Sequence, residues 1–231
     1  MPTNVSTKTK FQPDPHWAKV PHGVWMREAT SVAVDKNDNV FVFNRGNKPV
    51  LVFNQLGDVI DMWGNDNPPD KVRIIRDPYG NASQFWDTWF NRPHAITIDH
   101  EDNVWLVDDN GHQIHKMSKT GKYLMTIGSG TPAPKQSGDM FHRPTDVAIS
   151  EKTGEIFISD GYDNSRVHRL DPEGNLIKSW GVIGTDPGEF NVPHNIALID
   201  DEEVIVCDRE NYRVQVFSLD GTFLRMWPVH K

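Results

Sequence analysis

The chain has almost no cysteine: in 231 residues Cys207 stands alone, so no intrachain disulfide can form. A reducing compartment is the ordinary setting for such a chain. It also lacks any apolar stretch near the ~18 residues of a membrane span. The polar segment Met1 to Lys10 has no apolar centre of the kind a secretory signal carries. The expectation is therefore a soluble, cytoplasmic protein without a membrane partner. A surplus of positive charge is missing too. The net charge is −8 at pH 7, with no dense Lys/Arg block, so a phosphate backbone would be repelled and nucleic acid is not an expected partner. Helical periodicity is absent, since the apolar residues recur with a period of two.

What is present is a repeat. Three segments open alike: Phe90-Asn-Arg-Pro-His94, Phe141-His-Arg-Pro-Thr145 and Phe190-Asn-Val-Pro-His194. The phenylalanines are 141 − 90 = 51 and 190 − 141 = 49 residues apart. After each opening comes an alternating apolar stretch, a turn, a second strand pattern ending in Asp108, Asp160 or Asp208, a third strand, a Gly-bearing turn, and a fourth strand reaching Ile127, Trp180 or Trp227. An earlier unit, from Ser31 to Trp63, follows the same frame without the Phe-x-x-Pro opening. Four-stranded antiparallel units with a period near fifty predict β-propeller blades. The fold class expected is all-β, with four blades at residues 29–64, 90–130, 141–184 and 190–231. Residues 1–28 read as a tail with one entering strand near Gly23 to Met26. Residues 65–89, rich in Asn, Asp and Pro, read as a long connection without regular structure.

First strands of blades face the propeller axis. The position after the motif proline holds Thr30, His94, Thr145 and His194 in the four units, with Ala29 in place of Pro in the first, so histidine occupies alternate blades. Imidazoles converging on the axis would suit zinc; a third would complete a catalytic site. Equally, Pro-His can serve as a strand-opening dipeptide with its ring bonded in a turn. Arg45 and Arg209 hold one place in the second-to-third-strand turns of units one and four. They suit a carboxylate substrate, or they brace those turns by pairing with acids such as Asp208 or Glu210. Tyr162 is the one aromatic in those turns, either a base lowered by nearby cations or a packing tyrosine. The strand-end aspartates read as turn formers. His112, His115, His142 and His168 have no matching axial position and read as surface or packing residues.

The segments Arg-Pro-His94-Ala-Ile-Thr-Ile-Asp, Arg-Pro-Thr145-Asp-Val-Ala, Ser159-Asp-Gly-Tyr162-Asp-Asn-Ser-Arg, Val-Pro-His194-Asn-Ile-Ala-Leu and Cys207-Asp-Arg209-Glu-Asn-Tyr-Arg resemble the peptidyl-α-hydroxyglycine α-amidating lyases. The resemblance covers residues 29 to 231. It implies an NHL-type propeller of six blades, of which four are found here, and cleavage of an α-hydroxylated amide to an amide and glyoxylate. It also implies a zinc held by three histidines, a structural calcium, a tyrosine base and two arginines. Carried over by motif, His94 and His194 would hold zinc and Tyr162 would be the base. Arg45 and Arg209 would position a peptide or small substrate with a carboxylate. Val32 and Ile96 would offer backbone carbonyls to calcium. The family's last-blade Pro-His-Asp has no counterpart: His22 precedes the first unit and His230 follows a fourth strand. An incomplete propeller, weak zinc binding and self-association through open edges are therefore expected. A non-catalytic NHL interaction platform is the competing reading. A calcium-dependent lactonase-like hydrolase ranks last, because the axial residues are His and Thr.

Overall fold

The computed structural model describes residues 11–64, 73–76, 82–85 and 90–229. Alternating apolar residues become strands, and the strands form four meanders. Blade one comprises β1 (Ala29–Val34), β2 (Val40–Asn44), β3 (Val50–Phe53) and β4 (Val59–Trp63). Between blades one and two lie β5 (Arg73–Arg76) and β6 (Ala82–Phe85). Blade two comprises β7 (Pro93–Ile98), β8 (Val104–Asp108), β9 (Gln113–Met117) and β10 (Tyr123–Ile127). Blade three comprises β11 (Asp146–Ile149), β12 (Ile156–Asp160), β13 (Arg166–Leu170) and β14 (Leu176–Trp180). Blade four comprises β15 (Pro193–Ile199), β16 (Glu203–Asp208), β17 (Arg213–Ser218) and β18 (Phe223–Pro228). Each blade is an antiparallel sheet in chain order. The only helix among the described residues is the short 3₁₀ turn Arg209–Asn211, and no helix is long and apolar enough to cross a membrane. The fold is the all-β propeller of four-stranded blades that the repeat predicts.

Repeated residues make the joints. Phe90, Phe141 and Phe190 are almost wholly buried, each in a cluster between successive blades. Burying a phenylalanine is worth about 1.5–3 kcal/mol. Asp108, Asp160 and Asp208, fully or nearly fully buried, do more than form turns. Asp108 accepts the backbone N–H of Asn91 and Arg92, Asp160 that of His142, and Asp208 that of Asn191. Each ties the end of a second strand to the opening motif of its own blade. A second joint lies at the fourth strand: Trp63 of blade one packs on Gly121 of blade two, and Trp180 of blade three on Gly221 of blade four.

The first strands pack in series, β1 on β7, β7 on β11 and β11 on β15, and no comparable contact joins β15 to β1 among the described residues. Val32 and Val34 on β1 are accordingly exposed. The two end blades differ in a way the repeat does not foretell. No strand forms at residues 23–26; the segment from Trp17 to Val24 instead covers the outward face of blade one, packing on Val42, Leu51 and Phe53. Lys19 makes a lone parallel bridge to Asp58 there. Blade four has no such cover among the described residues, leaving Ala197, Cys207 and Trp227 exposed. The covering segment shields the outward face of blade one, while Val32 and Val34 of its first strand stay exposed. Within residues 65–89, β5 and β6 pair as a two-stranded ribbon, so that connection is not wholly irregular. His230 lies outside the described residues.

Candidate active site

The site forms where β7 and β15 begin. A bulge at the start of each strand, between Pro93 and Ala95 and between Pro193 and Asn195, turns the intervening histidine out of the regular ladder. The rings of His94 and His194 come to 4.9 Å between centroids. Tyr162, carried by the turn between β12 and β13, reaches between them. Its hydroxyl is 3.0 Å from Nε2 of His94 and 3.2 Å from Nε2 of His194. Two imidazole nitrogens and one phenol oxygen thus share one point.

Burial drives the electrostatics. The His94 side chain is largely removed from water, and burial pushes its pKa down to about 3, aided by the positive field of His194 and opposed by the backbone carbonyl of Thr145. The ring is therefore neutral at physiological pH, the form that binds a metal or accepts a proton. Its Nδ1 is buried without a well-formed hydrogen bond. Burial likewise lowers His194, against the Asn195 side chain that holds its Nδ1 at 3.1 Å.

The two predicted arginines both lie beside this point, and both are also braced. Arg45 donates from Nε to the carbonyl of Pro93 at 3.1 Å and pairs with Glu28. Arg209 pairs with Glu210 at 2.8 Å while its guanidinium sits 5.4 Å from the Tyr162 ring. The bracing contacts that the sequence allowed are therefore present at both arginines. The axial threonines behave differently. Thr145 is fully buried and donates to the carbonyls of Ser159 and Pro193; Thr30 donates to Phe43. They join strands and bring no donor to the point between the histidines. Val32 and Ile96 occupy equivalent places in β1 and β7, opposite Val42 and Leu106. Among the described residues no cluster of three or more His, Cys, Asp or Glu side chains could hold a metal.

Three residues at the site carried no role in the sequence. Arg143 lies with Cζ 4.3 Å from the Tyr162 ring centroid. Asp109, fully buried, sits 3.5 Å from Arg143 and 3.7 Å from Arg92. Arg143 and Arg92 precede the motif prolines, and Asp109 follows a strand-end aspartate; their places in the repeat were the available signal. Among the other histidines, His115 and His168 are buried and bonded to Thr126 and to Ser179 and Asp160. His112 accepts from the backbone of Arg143. All serve packing. A separate cavity of about 610 Å³ opens at the far ends of β7, β11 and β15, against Thr97, Ile149 and Leu198, away from the histidine–tyrosine point.

A β-propeller with repeats of NHL type is the class these features define. The NHL repeat model matches residues 141–170 and 190–217, in blades three and four. The solved streptogramin B lyase has a similar fold, with a TM-score of 0.58 at 13% identity over 87% of this chain and 54% of that one. By sequence the chain is similar to amidating lyases. It is 36% identical to the Caenorhabditis elegans probable peptidyl-alpha-hydroxyglycine alpha-amidating lyase pgal-1, over 83% of this chain and 55% of that protein. It is 34% identical to the mouse peptidyl-glycine alpha-amidating monooxygenase, over 84% of this chain and 21% of that protein. The chain thus spans about half the length, or less, of these curated relatives.

Proposed function

We propose that the protein is an amidating-lyase-type enzyme that cleaves the C–N bond of an α-hydroxylated amide, releasing an amide and glyoxylate. The observation that carries this reading is the phenol of Tyr162 shared between two imidazoles and flanked by guanidinium groups. The homology to amidating lyases supports a lyase. An interaction platform has no use for two desolvated histidines on one phenol.

Tyr162 takes the proton of the substrate hydroxyl. The O–H electron pair becomes the new C=O bond, the C–N bond breaks, and the departing nitrogen takes up a proton, so the products balance as amide and aldehyde. Positive charge from Arg45 and Arg209 helps position the substrate and stabilises the negative charge that develops on its oxygen. The imidazoles fit zinc in kind, being neutral and aimed at one point, and His94 and His194 are the residues that would hold it. Bound zinc would supply Lewis-acid polarisation of the substrate oxygen. Two imidazoles fall short of the three protein ligands usual for catalytic zinc, so the affinity is expected to be weak. The Val32 and Ile96 carbonyls remain the proposed calcium ligands.

The test is release of glyoxylate from an N-acyl-α-hydroxyglycine with zinc in excess. Release above the spontaneous rate that disappears in Tyr162→Phe supports the proposal. Equal release with and without protein rejects it.

A further inference from the structure

Four guanidinium groups, those of Arg45, Arg92, Arg143 and Arg209, surround the histidine–tyrosine point, against three carboxylates, those of Glu28, Asp109 and Glu210. The count, 4 − 3 = +1, leaves a local positive excess in a chain whose net charge is −8. Such a patch attracts an anion that the rest of the molecule repels.

The four arginines are not equivalent. Arg45 and Arg209 each hold a partner acid of their own, Glu28 and Glu210. Arg92 and Arg143 share Asp109, at 3.7 and 3.5 Å, which is the outer limit of an ion pair. The guanidinium of Arg143 therefore has donors to spare, and its Nε is buried without a partner. Asp109 is wholly buried, and its Oδ1 likewise has no partner. Buried polar atoms are normally satisfied, and exceptions ask for a reason. Arg143 also adopts φ of +64°, a left-handed backbone that costs a side-chain-bearing residue energy. That backbone N–H is held by Nδ1 of His112 at 3.1 Å. The outcome of this arrangement is a guanidinium laid on the face of Tyr162, 4.3 Å from the ring centre.

We propose that Arg143, anchored by Asp109, is a specificity-determining residue that binds the carboxylate of the substrate beside Tyr162 and so selects N-acylglycine acids over their neutral amides. The proposal rests on the lyase reading for the identity of the substrate, but its binding step requires no turnover. A carboxylate offers two oxygens to a guanidinium fork and fills the donors that Asp109 leaves free. Lysine would keep the charge and lose the fork.

The experiment is calorimetric binding of N-benzoylglycine and of N-benzoylglycinamide, neither of which can be cleaved by this reaction, to the wild-type chain, Arg143→Gln and Arg143→Lys. Melting temperature and circular dichroism establish that each variant folds. The wild type should bind the acid about 10- to 100-fold more tightly than the amide, the range of a charge-assisted contact. In Arg143→Gln that preference should vanish, with the amide unaffected, and Arg143→Lys should restore part of it. Absence of an acid preference in the wild type overturns the proposal, and so does a preference that survives in Arg143→Gln. If Arg143→Gln does not fold, an Arg143→Lys chain with undiminished preference overturns it, and a weakened preference supports it. Glyoxylate release from the α-hydroxylated acid is measured in parallel. Acid preference lost with Arg143 but no release would leave the anion site standing and remove the lyase reading; release without any acid preference would do the reverse.

Discussion

The hydroxyl of Tyr162 lies 3.0 Å from Nε2 of His94, although 68 residues separate them in the chain. One comes from the turn between the second and third strands of blade three, the other from the first strand of blade two. A single hydrogen bond thus connects the two positions on which the proposed chemistry depends.

Tyr162→Phe removes that bond and the bond to His194 while keeping the ring between Arg143 and Arg209. Turnover should fall on the order of 100- to 10,000-fold, the usual loss for a general base. Stability should fall by only about 0.5–1.5 kcal/mol per hydrogen bond. Steady-state glyoxylate release and urea unfolding measured side by side give both numbers. Unchanged turnover would remove Tyr162 from its role.

Gly221→Ala tests the joint between blades three and four. Gly221 has φ of +82°, and a Cβ there would lie 2.6 Å from the indole of Trp180. Both the strained backbone and the clash oppose alanine, so destabilisation of about 1–3 kcal/mol is expected. Gly188, also at positive φ but with open space where the Cβ would go, is the control. Its alanine variant should show the smaller loss in the same urea titration, and equal losses would contradict the packing account.

His115 supplies a pH dependence away from the site. Burial pushes its pKa down to about 4 in the folded chain, from 6.5. A depressed histidine favours the neutral folded state: that contribution is complete above pH 6.5 and is lost as pH falls from there towards 4. Asp108 and Asp146, raised by burial to about 6, act in the opposite sense, since their protons bind better to the folded chain below that pH. His115→Gln should therefore lower the loss of stability between pH 7 and pH 5 relative to the wild type. An unchanged difference between those two pH values would show that His115 does not titrate as its burial demands.

Zinc bound through His94 and His194 should leave readily. Dialysis against a mild chelator should strip it, and His94→Ala should abolish what binding remains, as read by metal analysis after gel filtration. Stoichiometric zinc retained by the monomer through dialysis would contradict the two-ligand expectation.

The sequence by itself determined the blades. Period-two alternation, Phe-x-x-Pro openings and a spacing near fifty leave no other arrangement, because strand, turn and repeat length all specify the same meander. It also marked His94, His194, Tyr162, Arg45 and Arg209, whose places in the repeat or departures from it are visible in one dimension. The apolar residues Trp17, Val20 and Val24 lack alternation, so nothing in the sequence linked them to the outward face of blade one. The distance between the two histidine rings, the stacking of Arg143 on Tyr162 and the burial of Asp109 were decided by tertiary structure alone. Those relations depend on how each blade is rotated against the next. That rotation is set by side chains packed between sheets, such as Phe90, Phe141 and Phe190, and by no local preference of the residues that meet at the site.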